Sequence, residues 1–118
     1  MINITFDMVE ESIPAIIAQE GPDFVYEAPI EGSCVYVHQG KPSCLIGRYL
    51  IDMGVPVEAF DGYQTSDIDT LFSRNFFENY GITATDEAVQ IMRTLQYNQD
   101  NDLSWGDTYN KSFDTERY

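Results

Sequence analysis

No carboxylate falls between Gly32 and Ile51, in a chain where twenty of 118 residues are Asp or Glu and only six are Lys or Arg. The first 31 residues carry seven acids and no Lys or Arg, and residues 52–118 carry thirteen acids and four bases. The stretch between holds Lys41, Arg48, the single histidine His38, and both cysteines, Cys34 and Cys44. Burying an unpaired charge is costly, so this acid-free stretch is the part of the chain best suited to an interior. Cys44, Leu45, Ile46, Tyr49, Leu50 and Met53 give it a broad apolar face at helical spacing. The expectation is a central helix from Cys44 to about Met53, capped by Ser43 and stopped by Gly54 and Pro56.

The rest of the composition decides between a folded and an unfolded acidic chain. Disordered acidic segments are poor in aromatics, whereas eight Tyr, seven Phe and one Trp are present here within a 43% hydrophobic composition. That implies one folded domain over residues 1–118, with 114–118 expected to fray. A net charge of −14 argues against direct binding to nucleic-acid phosphates or to an anionic membrane. It suits a basic protein partner or the imitation of a polyanion, and an ordinary solvated surface accounts for it equally well. No stretch approaches the roughly 18 apolar residues of a membrane span, and Met1–Phe6 lacks the marks of a signal peptide. Two cysteines in that context read as reduced thiols in a cytoplasmic protein.

Along the chain, Thr5 caps a first helix carrying Met8, Val9, Ile13, Ile16 and Ile17, which Pro14 is expected to kink or split and Gly21-Pro22 to end. Phe24-Val25-Tyr26 reads as extended. Cys34–Val37 reads as a strand with Tyr36 on one face and Val35 and Val37 on the other, turning at Gln39-Gly40-Lys41-Pro42. Ser66 and Asp69 fit a capping box before Ile68, Leu71, Phe72 and, further on, Phe76. Thr85 caps a helix whose Ala88, Ile91, Met92 and Leu95 face inward. Ser104 opens a last helix with the stripe Trp105, Tyr109, Phe113. No internal repeat is evident. The expected fold is α+β and mainly helical, with four to five short helices around a small β-hairpin.

Candidate chemistry is sparse. Cys34, His38 and Cys44 are potential metal ligands, but they lack the paired spacing of structural zinc sites and a fourth ligand. Cys44 in a first helical turn, with His38, Lys41 and Arg48 near in sequence, would suit a thiolate nucleophile; the apolar Leu45-Ile46 beside it favours burial. Lys41 and Arg48 could also serve a small-molecule pocket, although two cations are few for that work. Asp100-Asn101-Asp102 begins like a calcium loop but has Trp105 and Lys111 where Gly and Glu are required. Tyr63, Phe76, Phe77 and Tyr80 crowd loops more densely than a core needs, which makes them the expected contacts of a binding surface, with self-association through the same residues as an alternative. No cofactor is expected.

Three segments carry a resemblance: Gly21-Pro22-Asp23-Phe24-Val25-Tyr26; Cys34-Val35-Tyr36-Val37 with Pro42-Ser43-Cys44-Leu45-Ile46-Gly47; and Gln96-Tyr97-Asn98-Gln99-Asp100 with Trp105-Gly106. Together, across most of residues 21–106, they resemble a group of small uncharacterised proteins from actinobacteria and their bacteriophages. Those proteins show a Pro-x-Cys-aliphatic-aliphatic-Gly helix start and a Gln-x-x-Gln-Asp-x-Gly-x-x-Trp close. This chain departs from the pattern at Asp102, where the Gly would stand, although Asp tolerates left-handed backbone. The resemblance brings no catalytic residues. It implies a phage context, in which small acidic proteins often bind and inhibit host factors. The leading expectation is therefore a non-enzymatic acidic protein that binds a host or phage protein. The alternatives are a DNA mimic that inhibits a nucleic-acid-binding protein, and a small thiol- or metal-dependent enzyme.

Overall fold

The computed structural model describes residues 2–28, 35–63, 66–73 and 76–118, with the side chains of Ser73, Phe76 and Phe77 outside that description. In chain order the elements are β1 (Ile2–Ile4), α1 (Phe6–Glu20), β2 (Val37–His38), β3 (Lys41–Pro42), α2 (Leu45–Asp52), α3 (Ile68–Ser73), β4 (Ile82–Ala84), α4 (Asp86–Asp100) and α5 (Trp105–Phe113). Short 3-10 turns occupy Val57–Phe60 and Phe76–Tyr80. The fold is mainly helical α+β.

Two strand–cap–helix units lie side by side. β1 leads into Thr5, whose Oγ1 accepts the Met8 amide at 3.3 Å, and then into α1. β4 leads into Thr85, whose Oγ1 accepts the Ala88 amide at 3.1 Å, and then into α4. Both helices are 15 residues long. β1 and β4 pair in parallel, Ile2 with Ile82, Asn3 with Thr83 and Ile4 with Ala84. The ladder extends past the strands through Thr85 N to Ile4 O at 2.9 Å, and Thr83 Oγ1 donates to Asn3 Oδ1 at 2.9 Å. This pairing is absent from the sequence-based expectation, as is the short repeated unit. The expected hairpin is present as β2 and β3, with Val37 opposite Pro42 and His38 opposite Lys41. Its two-residue turn, Gln39 at φ 53° and Gly40 at φ 74°, has the doubly positive φ that matches strand twist in a tight hairpin.

Other expectations are corrected. Pro14 does not divide α1, which runs unbroken to Gly21 at φ 97°. A proline removes the bond to the carbonyl four residues back, here Glu10, and the Tyr109 hydroxyl supplies a replacement donor at 3.1 Å. Cys44 rather than Ser43 caps α2: its Sγ accepts from Gly47 N at 3.4 Å. Asp67 rather than Ser66 holds the first turn of α3, accepting the Thr70 amide at 2.7 Å. Bonds from the Thr70 hydroxyl and amide hold the Asp67 carboxyl below its usual range. The strand expected at Cys34–Val37 begins only at Val37, and Val35, Tyr36 and Val37 are all buried instead of alternating. The end of the chain, expected to fray, lies back against α5 through Tyr118. Asn110 donates from Nδ2 to Tyr118 O at 2.7 Å and accepts Tyr118 N at 3.0 Å, and the Tyr118 ring sits edge-on to Tyr109 at 5.6 Å.

The core closes on α4, which packs against α1, α2, α3 and α5. Val9, Ile13, Ile16 and Ile17 of α1, Leu45, Ile46, Tyr49 and Leu50 of α2, and Ala88, Met92 and Leu95 of α4 are buried in it. The acid-free segment thus contributes one buried face of the interior, α2, beside those of α1 and α4. Gln99, 1% exposed, joins three elements: its Oε1 accepts Leu45 N at 2.9 Å and Trp105 Nε1 at 3.2 Å. Gln96 Oε1 accepts the Tyr36 hydroxyl at 3.4 Å. These glutamines thus accept from a backbone amide, an indole and a phenol of the core. Asp102, at φ 67°, takes up the left-handed turn between α4 and α5. No helix among the described residues is long and apolar enough to cross a membrane.

Candidate functional site

The outward side of α4 is a ridge with a groove on each flank. The larger groove, about 400 Å³, lies where β4 passes into α4 and α3 comes alongside. Its floor is Phe72, Ala84 and Val89, all partly buried and packed on the core. Its rim carries Asp69 from α3, Asp86 and Glu87 from the first turn of α4, and Arg93 one and a half turns on. Arg93 Nη1 meets Asp69 Oδ2 at 2.7 Å, and both side chains are about half exposed. The second groove, about 310 Å³, shares Glu87, Gln90 and Arg93 and is completed by Phe6, Ile91 and Thr94. One turn further along the ridge Tyr97 is 67% exposed.

Local sequence explains this arrangement. Asp86 and Glu87 occupy the positive end of the α4 dipole, where anions are favoured. Val89 lies off the stripe formed by Ala88, Ile91, Met92 and Leu95, so it lands on the flank instead of the core. The groove sits beyond the carboxyl end of β4, and in parallel α/β sheets that end is where connections part and leave a crevice. Arg93 is already compensated by Asp69, so among the described residues Asp86 and Glu87 set the sign of the mouth. It combines negative charge with an apolar floor and is open to solvent.

The residues singled out from the sequence are scattered. Tyr80 is 46% exposed, whereas Tyr63 is half-buried and packs against the core. The side chains of Phe76 and Phe77, and Cys34 altogether, lie outside the described residues. His38 and Lys41 are exposed on the hairpin. Arg48 donates to Glu20 Oε1 at 2.6 Å and Gln19 Oε1 at 2.5 Å and lies 5.7 Å from the centre of the Trp105 ring, so it is tied into the α1–α2 contact. Cys44 is 0% exposed. Cys44 is thus buried at the α2 cap, while His38 is exposed on the hairpin. Among the described residues no group of three or more His, Cys, Asp or Glu side chains is placed to hold a metal ion.

The structure gathers a different set: Asp69, Phe72, Asp86, Glu87, Val89 and Arg93. The sequence carried one usable sign of it, an apolar Val89 off the buried stripe beside two helix-initiating acids. What brings α3 to that flank is tertiary and has no local signature. No protein-family model, no curated protein and no solved structure matches this chain.

Proposed function

We propose that this chain is a non-enzymatic acidic interaction domain that docks on another protein, and that a bacteriophage encodes it to act on a host or phage factor. The observation that carries the docking reading is the α4 ridge with its two grooves, apolar-floored, acid-rimmed and continuous with an exposed Tyr97. Apolar anchors within a polar rim are the usual anatomy of a protein-binding patch. The phage context rests on the three-segment resemblance described above. Burial of Cys44 and the engagement of Arg48 weigh against the thiol-enzyme and anion-pocket readings.

The test is capture from host lysate on the immobilised protein at low and high salt, with the Val89→Asp variant in parallel. A partner retained at high salt by the parent and lost by the variant supports apolar docking at α4. A nucleic-acid-binding protein held only at low salt, and equally by the variant, transfers the reading to mimicry of DNA charge. An empty column at both salt concentrations ends the interaction reading.

A further inference from the structure

We infer that the larger α4 groove takes a basic amphipathic segment of a different protein, an extension that rests on the docking reading above. Its Lys or Arg meets Asp86 and Glu87, and the apolar side chains beside it sit on Phe72 and Val89. Charge complementarity selects this occupant. Among the described residues that line the groove the one cation, Arg93, is held by Asp69 at 2.7 Å, which leaves the two carboxylates of the first α4 turn facing the opening. The whole chain carries −14, so an acidic peptide is repelled at long range and a basic one is steered in.

A second copy of this chain cannot supply the segment. Of its six bases, Arg48 is engaged with Glu20, Arg93 is in the groove itself, and Arg117 lies over the Tyr109 and Tyr118 rings. Lys41, Arg74 and Lys111 are single cations far apart in sequence. The ion pair in the groove adds a specific consequence. With both partners about half exposed, it holds weakly, and an incoming cation competes with Arg93 for Asp69. Arg93 therefore opposes the ligand, and removing it strengthens binding.

The probe is a fluorescein-labelled synthetic helix of about 14 residues with Lys on one face and Leu on the other. Controls are a scrambled version and a version with Glu for Lys. Anisotropy gives affinity, and amide shifts in a 15N-labelled sample give location. The expected shifts fall on residues 69–72 and 84–94. Joint Asp86→Lys and Glu87→Lys substitution weakens binding by about tenfold or more. Arg93→Gln tightens it by about threefold, while Asp52→Lys, on the exposed end of α2, changes it by less than about twofold. Circular dichroism establishes that each variant is folded.

Equal weakening by Asp52→Lys and by the groove pair overturns the site in favour of diffuse attraction. Loss of binding in Arg93→Gln, or preference for the Glu peptide, overturns the sign of the ligand. Failure of every peptide, while a lysate partner is still captured in a Val89-dependent way, ends this inference and leaves the docking reading standing.

Discussion

Gly47 is a position where a single methyl group has nowhere to go. A Cβ there would lie 2.2 Å from the Tyr36 carbonyl oxygen and 2.9 Å from its carbon. These are backbone atoms, which cannot swing aside as a side-chain end does. Gly47→Ala is expected to cost about 3 kcal/mol in urea unfolding, at the upper end of overpacking penalties. Tyr49 makes a second prediction. Its hydroxyl is buried with no hydrogen-bond partner of good geometry among the described residues, and burial, offset in part by the Ser12 hydroxyl, pushes its pKa up to about 12 from 10.0. Because the folded value lies above the unfolded one, the stability linked to this proton is complete below pH 10. It is lost as the pH rises through the folded value. Tyr49→Phe should remove that alkaline loss and change stability at neutral pH by less than about 1 kcal/mol, since the contact with the Ser12 hydroxyl is lost together with the cost of burying the phenol. Phenolate absorbance against pH checks the assignment; Tyr109 is also raised, chiefly by burial. At this scale the sequence was legible where bonds are local. Thr5, Thr85 and Ser104 cap as expected because each reaches only three residues ahead. The α2 cap moved by one residue because the Leu45 amide is met by Gln99, 54 positions away.

Helix α1 survives its internal proline through a bond from another element, and that dependence is measurable. Tyr109→Phe removes the donor to Glu10 O and should cost about 1–2 kcal/mol. In a Pro14→Ala background residue 14 regains an N–H for the same carbonyl, so the Tyr109→Phe cost should fall to a few tenths of a kcal/mol. A double-mutant cycle by chemical denaturation reads this coupling directly, and equal costs in both backgrounds would contradict the account. Proline reads as a helix breaker in a sequence because its rescuer is 99 residues away from the carbonyl it serves. The parallel pair was hidden for a similar reason. Three-residue strands carry too little alternation to register, and their partners are fixed by long-range geometry. Amphipathic periodicity did place the buried faces of α1, α2, α4 and α5 correctly.

Charge dominates behaviour at the level of the molecule. A charge of −14 spread over a body of 36 × 31 × 21 Å repels itself, and the folded state bears more of that repulsion than the expanded chain. Raising NaCl from about 10 to about 300 mM contracts the screening length severalfold and should raise the melting temperature by about 5 °C. The same salt should weaken a basic peptide probe, so stability and affinity move in opposite directions. Composition foretold the sign of the net charge. It did not foretell which carboxylates stand together. Asp69 and Asp86 line one groove because α3 packs against α4.

The pairing of β1 with β4 also sets an order of events during folding. Thr83 and Asn3 are 80 positions apart, so closing that loop carries an entropic cost with little local reward. Helices α4 and α5, adjacent in sequence and packed together, can form and dock far sooner. The first strand is then a late arrival that locks a nearly finished structure. Ile4→Val should accordingly leave the refolding rate nearly unchanged and accelerate unfolding, the signature of a contact made after the barrier has been crossed.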